Sequence, residues 1–210
     1  MNPIPTGFPR NRNYRARGFM PQYLTKGNFV TYASGGQIRY HTGQTNSFLP
    51  GGMSLTLLAG RLSFNYIEVG SKSTMDTIGV YIITNGGVGS TCELSLYETY
   101  NGFPSRLVLN AGNVDASASS TLRTVRYIQK LKPGLYCGCI ITSANTVIPG
   151  IPSDQIRHPL GISPPDNTDQ RLYPWIASGV YTTAPQTVDI TKMQLAGTQL
   201  QPMIALTFIN

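Results

Sequence analysis

Residues 77–97 read TIGVYIITNGGVGSTCELSLY, and this stretch decides the fold class. Ile78, Val80 and Ile82 alternate with Gly79, Tyr81 and Ile83, and further on Cys92, Leu94 and Leu96 alternate with Glu93, Ser95 and Tyr97. A period of two gives each segment one apolar face, which is the pattern of a half-buried strand. Between the segments lies Asn85-Gly86-Gly87-Val88-Gly89-Ser90, whose Asn and Gly supply the positive φ of a tight connection, so the stretch reads as a β-hairpin. A phosphate-cradling reading of those glycines fails because no GxxxxGK follows and no helix opens there.

The signal continues toward the C-terminus. Asn101-Gly102-Phe103-Pro104 punctuates the chain, Leu107-Val108-Leu109 leads into the polar run Asp115–Ser120, which reads as a surface loop, and Leu122–Ile128 is strand-like. After the turn Lys132-Pro133-Gly134, the run Leu135-Tyr136-Cys137-Gly138-Cys139-Ile140-Ile141 reads as a central strand buried on both faces. Met203–Ile209 is apolar and reads as the strand that closes the core. Strands and turns at this spacing predict an all-β, antiparallel β-sandwich, jelly-roll-like, over residues 61–210. Within it, 148–185 is a long Pro-rich loop carrying Arg157, Arg171, Tyr173, Trp175 and Tyr181, expected to pack over one end of the sandwich or to contact a neighbour.

Toward the N-terminus the composition changes. Residues 28–60 form a Gly-rich transition with turn signals at Gly35-Gly36 and Pro50-Gly51-Gly52 and short extended pieces near Val30 and Ile38. Residues 1–27 hold Pro3, Pro5, Pro9 and Pro21 among Arg10, Arg12, Arg15 and Arg17, with Phe8, Tyr14, Phe19 and Tyr23 between them. Proline at that density blocks both a continuous helix and a central strand, so an extended basic arm is expected. The net charge of +7 resides entirely in the first 67 residues, which contain no acid, while residues 68–210 are neutral. With 210 residues, 40% hydrophobic and 12% charged, the chain supports one core plus a tail that becomes ordered on a partner.

No run is long and apolar enough for a membrane helix, and the N-terminus lacks the apolar core of a secretory signal, so a soluble protein made in a cytoplasm is expected. Cys92, Cys137 and Cys139 are odd in number and do not form a disulfide framework; Cys137 and Cys139 share one strand face and read as small buried hydrophobes. His41 and His158 are isolated, so neither a metal site nor a cofactor is expected.

Several pieces carry a resemblance. They are Thr77–Val80, Ser90–Tyr97, Asn101–Leu109, the Ala-Gly-x-Val-Asp element Ala111–Asp115 continuing to Ser117, and the Leu-x-Pro-Gly-x-Tyr element Leu131–Tyr136. In this order and at this spacing the chain resembles a β-sandwich module of tailed-bacteriophage structural proteins, over about residues 55–145 with the strand near 203–209 completing it. Cys137 stands where that family usually has an aromatic, and the stretch 148–185 has no counterpart. The resemblance implies a virion component of the fibre, spike, baseplate or decoration class, commonly trimeric, located in the virion and without an implied activity.

The chemistry of an enzyme is not legible. The two histidines are 117 positions apart and near no Gly-x-Ser-x-Gly elbow. Glu93 and Glu98 read as solvated edge acids, Asp166 and Asp169 as turn formers; a facing pair of Glu98 with a loop aspartate is the one arrangement that would suit glycoside cleavage. Tyr100, Phe103, Tyr173 and Trp175, in loops by this reading, could stack on a host-surface glycan, while the rival and favoured reading has Trp175 plugging a subunit interface. For the arm, docking of Arg10, Arg12, Arg15, Arg17, Phe8, Tyr14 and Phe19 into a groove of another virion protein is favoured over contact with packaged nucleic acid, because prolines and aromatics add shape to charge. The expected function is a non-enzymatic, homo-oligomeric structural component, with a host-glycan recognition module as the alternative.

Overall fold

The computed structural model describes residues 30–31, 38–41, 53–69, 72–101, 103–152, 175–177, 179–195 and 200–209. In chain order the strands are β1 (Val30–Thr31), β2 (Ile38–His41), β3 (Ser54–Leu57), β4 (Leu62–Val69), β5 (Ser73–Ile82), β6 (Thr91–Tyr100) and β7 (Phe103–Asp115). They continue with β8 (Thr121–Leu131), β9 (Gly134–Thr142), β10 (Thr146–Pro152), β11 (Trp175–Ala177), β12 (Met193–Leu195), β13 (Leu200–Pro202) and β14 (Ala205–Ile209). All pairings are antiparallel, in a five-stranded sheet β1-β2-β14-β5-β8, a six-stranded sheet β12-β11-β4-β9-β6-β7 and a short sheet β13-β10-β3. The fold is the all-β sandwich that the alternating pattern implies, and the chain passes between the two large sheets at β4–β5, β5–β6, β7–β8 and β8–β9.

The hairpin expected over 77–97 is a correction. β5 pairs with β14 and β8, whereas β6 pairs with β7 and β9, so the two segments lie in opposite sheets. A hairpin would leave both apolar faces side by side on one surface. Splitting them sets Ile78, Val80 and Ile82 against Cys92, Leu94 and Leu96 in one core cluster, all fully buried, across the roughly 10 Å between packed sheets. The linking segment is held by other strands: Ile83 N–H donates to the Val147 carbonyl and Gly86 N–H to the Ala116 carbonyl. The true hairpin is β6–β7, which closes on the pair Tyr100 and Phe103, with Asn101 at φ 49°.

The central strand expected at 135–141 is β9, flanked by β4 and β6 and buried from Tyr136 to Thr142. On its inner side Tyr136 and Ile140 join the main core, and Gly138 leaves room for Ile204: a methyl there would sit 2.5 Å from Ile204 Cδ1. On its outer side Cys137, Cys139 and Ile141 join Leu62, Phe64 and Tyr97 in a second cluster. That cluster is completed by the chain after β11, which crosses the outside of the sheet with Ala184 and Val188 buried in it and Tyr181 and Met193 packed against it. The Pro-rich stretch therefore begins as β10 and its described later part covers a face of the sandwich; residues 153–174 lie outside the described residues. Strands β2 and β3, from the Gly-rich transition, pair with β14 and β10 respectively.

Candidate functional site

The crossing segment 179–193 is fixed by a buried acid. Glu93 is on the outer side of β6, 5% exposed, and its Oε1 accepts from the Ala184 N–H (2.6 Å), the Asn110 Nδ2 (3.0 Å) and the Thr183 hydroxyl (3.1 Å). Further ties are the Tyr97 hydroxyl to the Pro185 carbonyl (2.8 Å), Leu107 N–H to the Gln186 carbonyl and Val188 N–H to the Ser105 carbonyl. Beneath it, Phe64 and Tyr97 meet edge to face at 5.7 Å. Cys137 and Cys139 are fully buried free thiols there, and burial raises the pKa of both; desolvation likewise pushes Cys92, in the main core, up to about 12. All three stay protonated and unreactive while covered.

Glu93 is therefore not the solvated edge acid that its place in an alternating strand suggests. Glu98 is exposed and bridges Arg106, Oε2 to Nη2 at 2.8 Å. On one strand and five residues apart, the two carboxylates are separated by about 17 Å of extended chain, too far to act on one glycosidic bond. Asp166 and Asp169 lie outside the described residues. Among the described residues, no three His, Cys, Asp or Glu side chains gather as a metal-ion cluster, and no helix is long and apolar enough to cross a membrane.

Of the aromatic residues singled out in the sequence, Tyr100 and Phe103 come together as the last cross-strand pair before the β6–β7 turn, with Tyr100 72% exposed. Trp175 is on a strand rather than in a loop: it pairs with Leu195, and β11 adjoins β4. Continuing the register places Trp175 level with Phe64, Cys139 and Ser95, five residues short of Tyr100 and three strand spacings to the side. With about 3.4 Å per residue and 4.8 Å per strand, Trp175 and Tyr100 are on the order of 20 Å apart. They do not form one site. Tyr173 and the arm residues Phe8, Arg10, Arg12, Tyr14, Arg15, Arg17 and Phe19 lie outside the described residues.

A second end was not recognised as a unit from the sequence. The connections 58–61, 83–90, 116–120 and 143–145 converge away from Tyr100 and are cross-linked. The Asn85 N–H and Nδ2 both donate to the Ser119 hydroxyl, Thr91 N–H to the Ser143 hydroxyl, Ser143 N–H to the Thr91 carbonyl, and Ala59 N–H to Asn145 Oδ1. Val88 projects fully exposed from it, and 83–90, 116–120 and 143–145 contain no charged residue. The abundance of Ser, Asn and Gly is visible in the sequence, but it reads as separate turns because the pairing that gathers them is long-range.

No protein-family model matches this chain, and no curated protein matches it.

Proposed function

We propose that this chain is a non-enzymatic structural component of a tailed-phage virion, tied to head or tail proteins by its basic arm, 1–27, and presenting its β-sandwich body as a homo-oligomer. One observation carries the reading. Every carboxylate whose side chain is described is already engaged: Asp76 with Arg126 and Asp115 with Arg123, both at 3.1 Å, Glu98 with Arg106, Glu93 under the crossing segment and Asp189 with Thr191. The four arginines of the arm thus find no free acid among the described side chains of their own body, which supports a partner on a different molecule. The family-like elements add support, since Ala111–Asp115 ends β7 and Leu131–Tyr136 turns the chain from β8 into the central β9. Deleting residues 1–27 tests the reading: the body is expected to keep its β-type circular dichroism and to be missing from particles, and unchanged incorporation would rule out anchoring by the arm.

A second reading is favoured by Tyr100, a large aromatic with 72% exposure at a hairpin tip. It makes the body a host-glycan recognition module, the ring stacking on a sugar face. Loss of glycan-array signal in Tyr100→Ala tests it.

A further inference from the structure

Once the engaged carboxylates and their partners are set aside, the cations of the body whose side chains are described and that form no ion pair there, Lys192 apart, are Arg61, Lys72, Lys130 and Lys132. Three of these four meet at one place. β5 and β8 pair with Ser73 opposite Leu131 and Thr74 opposite Lys130. Lys72 and Lys132 flank that last pair, so two like charges leave the end of one ladder side by side, an arrangement that costs stability. Leu131 is 3% exposed and points into the core, so by alternation Lys130 and Lys132 point out from the same face. All three lysines are exposed.

This strand end is joined to the Tyr100 turn. The Thr99 hydroxyl donates to the Leu135 carbonyl at 3.0 Å, and the Tyr136 hydroxyl donates to the Lys132 carbonyl at 3.0 Å. The loop end of the sandwich, by contrast, carries no charge in 83–90, 116–120 and 143–145. Three of the four unpaired cations are thus gathered beside Tyr100, the most exposed tyrosine among the described residues, while the fourth, Arg61, lies in the 58–61 connection at the other end.

We propose that this end binds an anionic polysaccharide, its carboxylate or phosphate groups meeting Lys72, Lys130 and Lys132 and a sugar ring lying on Tyr100. The inference rests on the glycan reading and adds to it the charge of the ligand and the residues that select for it. Ammonium groups are point donors without the planar fork of arginine, so they accept anions at the varied angles found along a flexible sugar chain. Neighbouring lysines are relieved of their mutual repulsion when an anion lies between them.

The test uses the full chain with Arg10, Arg12, Arg15 and Arg17 changed to Gln, so that the arm does not itself hold a polyanion. Binding of oligogalacturonate, a phosphate-bearing mannan, neutral dextran and poly-L-glutamate is measured by calorimetry at about 50 and 500 mM salt. The expected result is binding of oligogalacturonate or the phosphomannan but not dextran, weakened roughly tenfold by combined Lys72→Gln, Lys130→Gln and Lys132→Gln, since each exposed pair contributes about 0.2–1 kcal/mol. Tyr100→Ala weakens it as well, and high salt does so by screening. Equal affinity for dextran, or no effect of the lysine changes, overturns the charge assignment while Tyr100-dependent sugar binding leaves the glycan reading standing. Poly-L-glutamate binding as tightly as the sugars, without dependence on Tyr100, overturns it in favour of an acidic protein partner. No binding of any probe overturns both readings.

Discussion

The six-stranded sheet buries both of its faces, and the two are built of different material. The inner face meets the other large sheet with Ile67, Cys92, Leu94, Leu96, Tyr136 and Ile140, all in one apolar cluster. The outer face carries Glu93 and Ser95 as well as Phe64, Tyr97 and the Cys137–Cys139 pair, under the segment 179–193, whose own Val180 and Ile190 are 88% and 59% exposed. The inner face is held by continuous packing. The outer one depends on a few buried side chains and on hydrogen bonds converging on a single carboxylate oxygen. The lesson is that one strand, β6, belongs at once to a core of global stability and to a cover able to open locally.

This difference is sharpest under truncation. Leu94→Ala, at a fully buried inner position, is expected to cost about 2–5 kcal/mol in urea unfolding, the range for a large-to-small change with a residual cavity. A smaller loss, near that of a surface substitution, would break the contrast between the faces. On the outer face, Glu93→Ala leaves the Ala184 N–H without its acceptor and is expected to cost about 1–3 kcal/mol. Most of that falls on the cover, so Cys137 and Cys139 should react with a thiol reagent roughly tenfold faster or more, while Cys92 keeps its protection. Equal acceleration of all three would mean that the cover does not open separately.

Tyr97→Phe removes only the hydroxyl that donates to Pro185 and is expected to cost about 1 kcal/mol, again read as faster Cys137 and Cys139 labelling. The smallest effect concerns the edge joining the two sheets. The Asp115 carboxyl is held below the usual carboxylate range first by the Ser117 hydroxyl, then by the Ser117 N–H, with Arg123 adding to it. A depressed folded pKa gives a contribution that is complete above the unfolded value of about 3.9 and lost as pH falls through the folded value. The melting temperature should therefore fall less steeply below about pH 4 in Asp115→Asn than in the wild type; identical slopes would remove this residue from the acid response.

Sequence reading reached the inner face and stopped short of the outer one for a definable reason. Alternation in 78–82 and 92–96 marks which residues seek a core, so the sandwich, the central strand β9 and the buried thiols follow from it. It does not say which strands pair, and residues 77–97, with turn chemistry between two strands, became a crossing between sheets because burying two apolar faces against each other outweighs the local turn signal. Glu93 looked solvated because its partners Thr183 and Ala184 are 90 and 91 residues away. Trp175 looked like a loop residue because Pro174 precedes it, yet β11 needs only three residues to pair on β4 and β12. The lysine end was legible only in part: Lys130 and Lys132 are two apart in sequence, but the β5–β8 pairing that brings Lys72 to the same strand end is not.

The division of labour between a basic arm and a body whose described carboxylates are all engaged is tested most directly by neutralising the arm without shortening it. Particles made with Arg10, Arg12, Arg15 and Arg17 all changed to Gln are assayed for the amount of this protein they carry, alongside the melting temperature of the isolated variant. The expected result is a strong loss of the protein from particles at an unchanged melting temperature. Full incorporation, or a melting temperature that falls with the arginines, would contradict the assignment of attachment to the arm and stability to the sandwich.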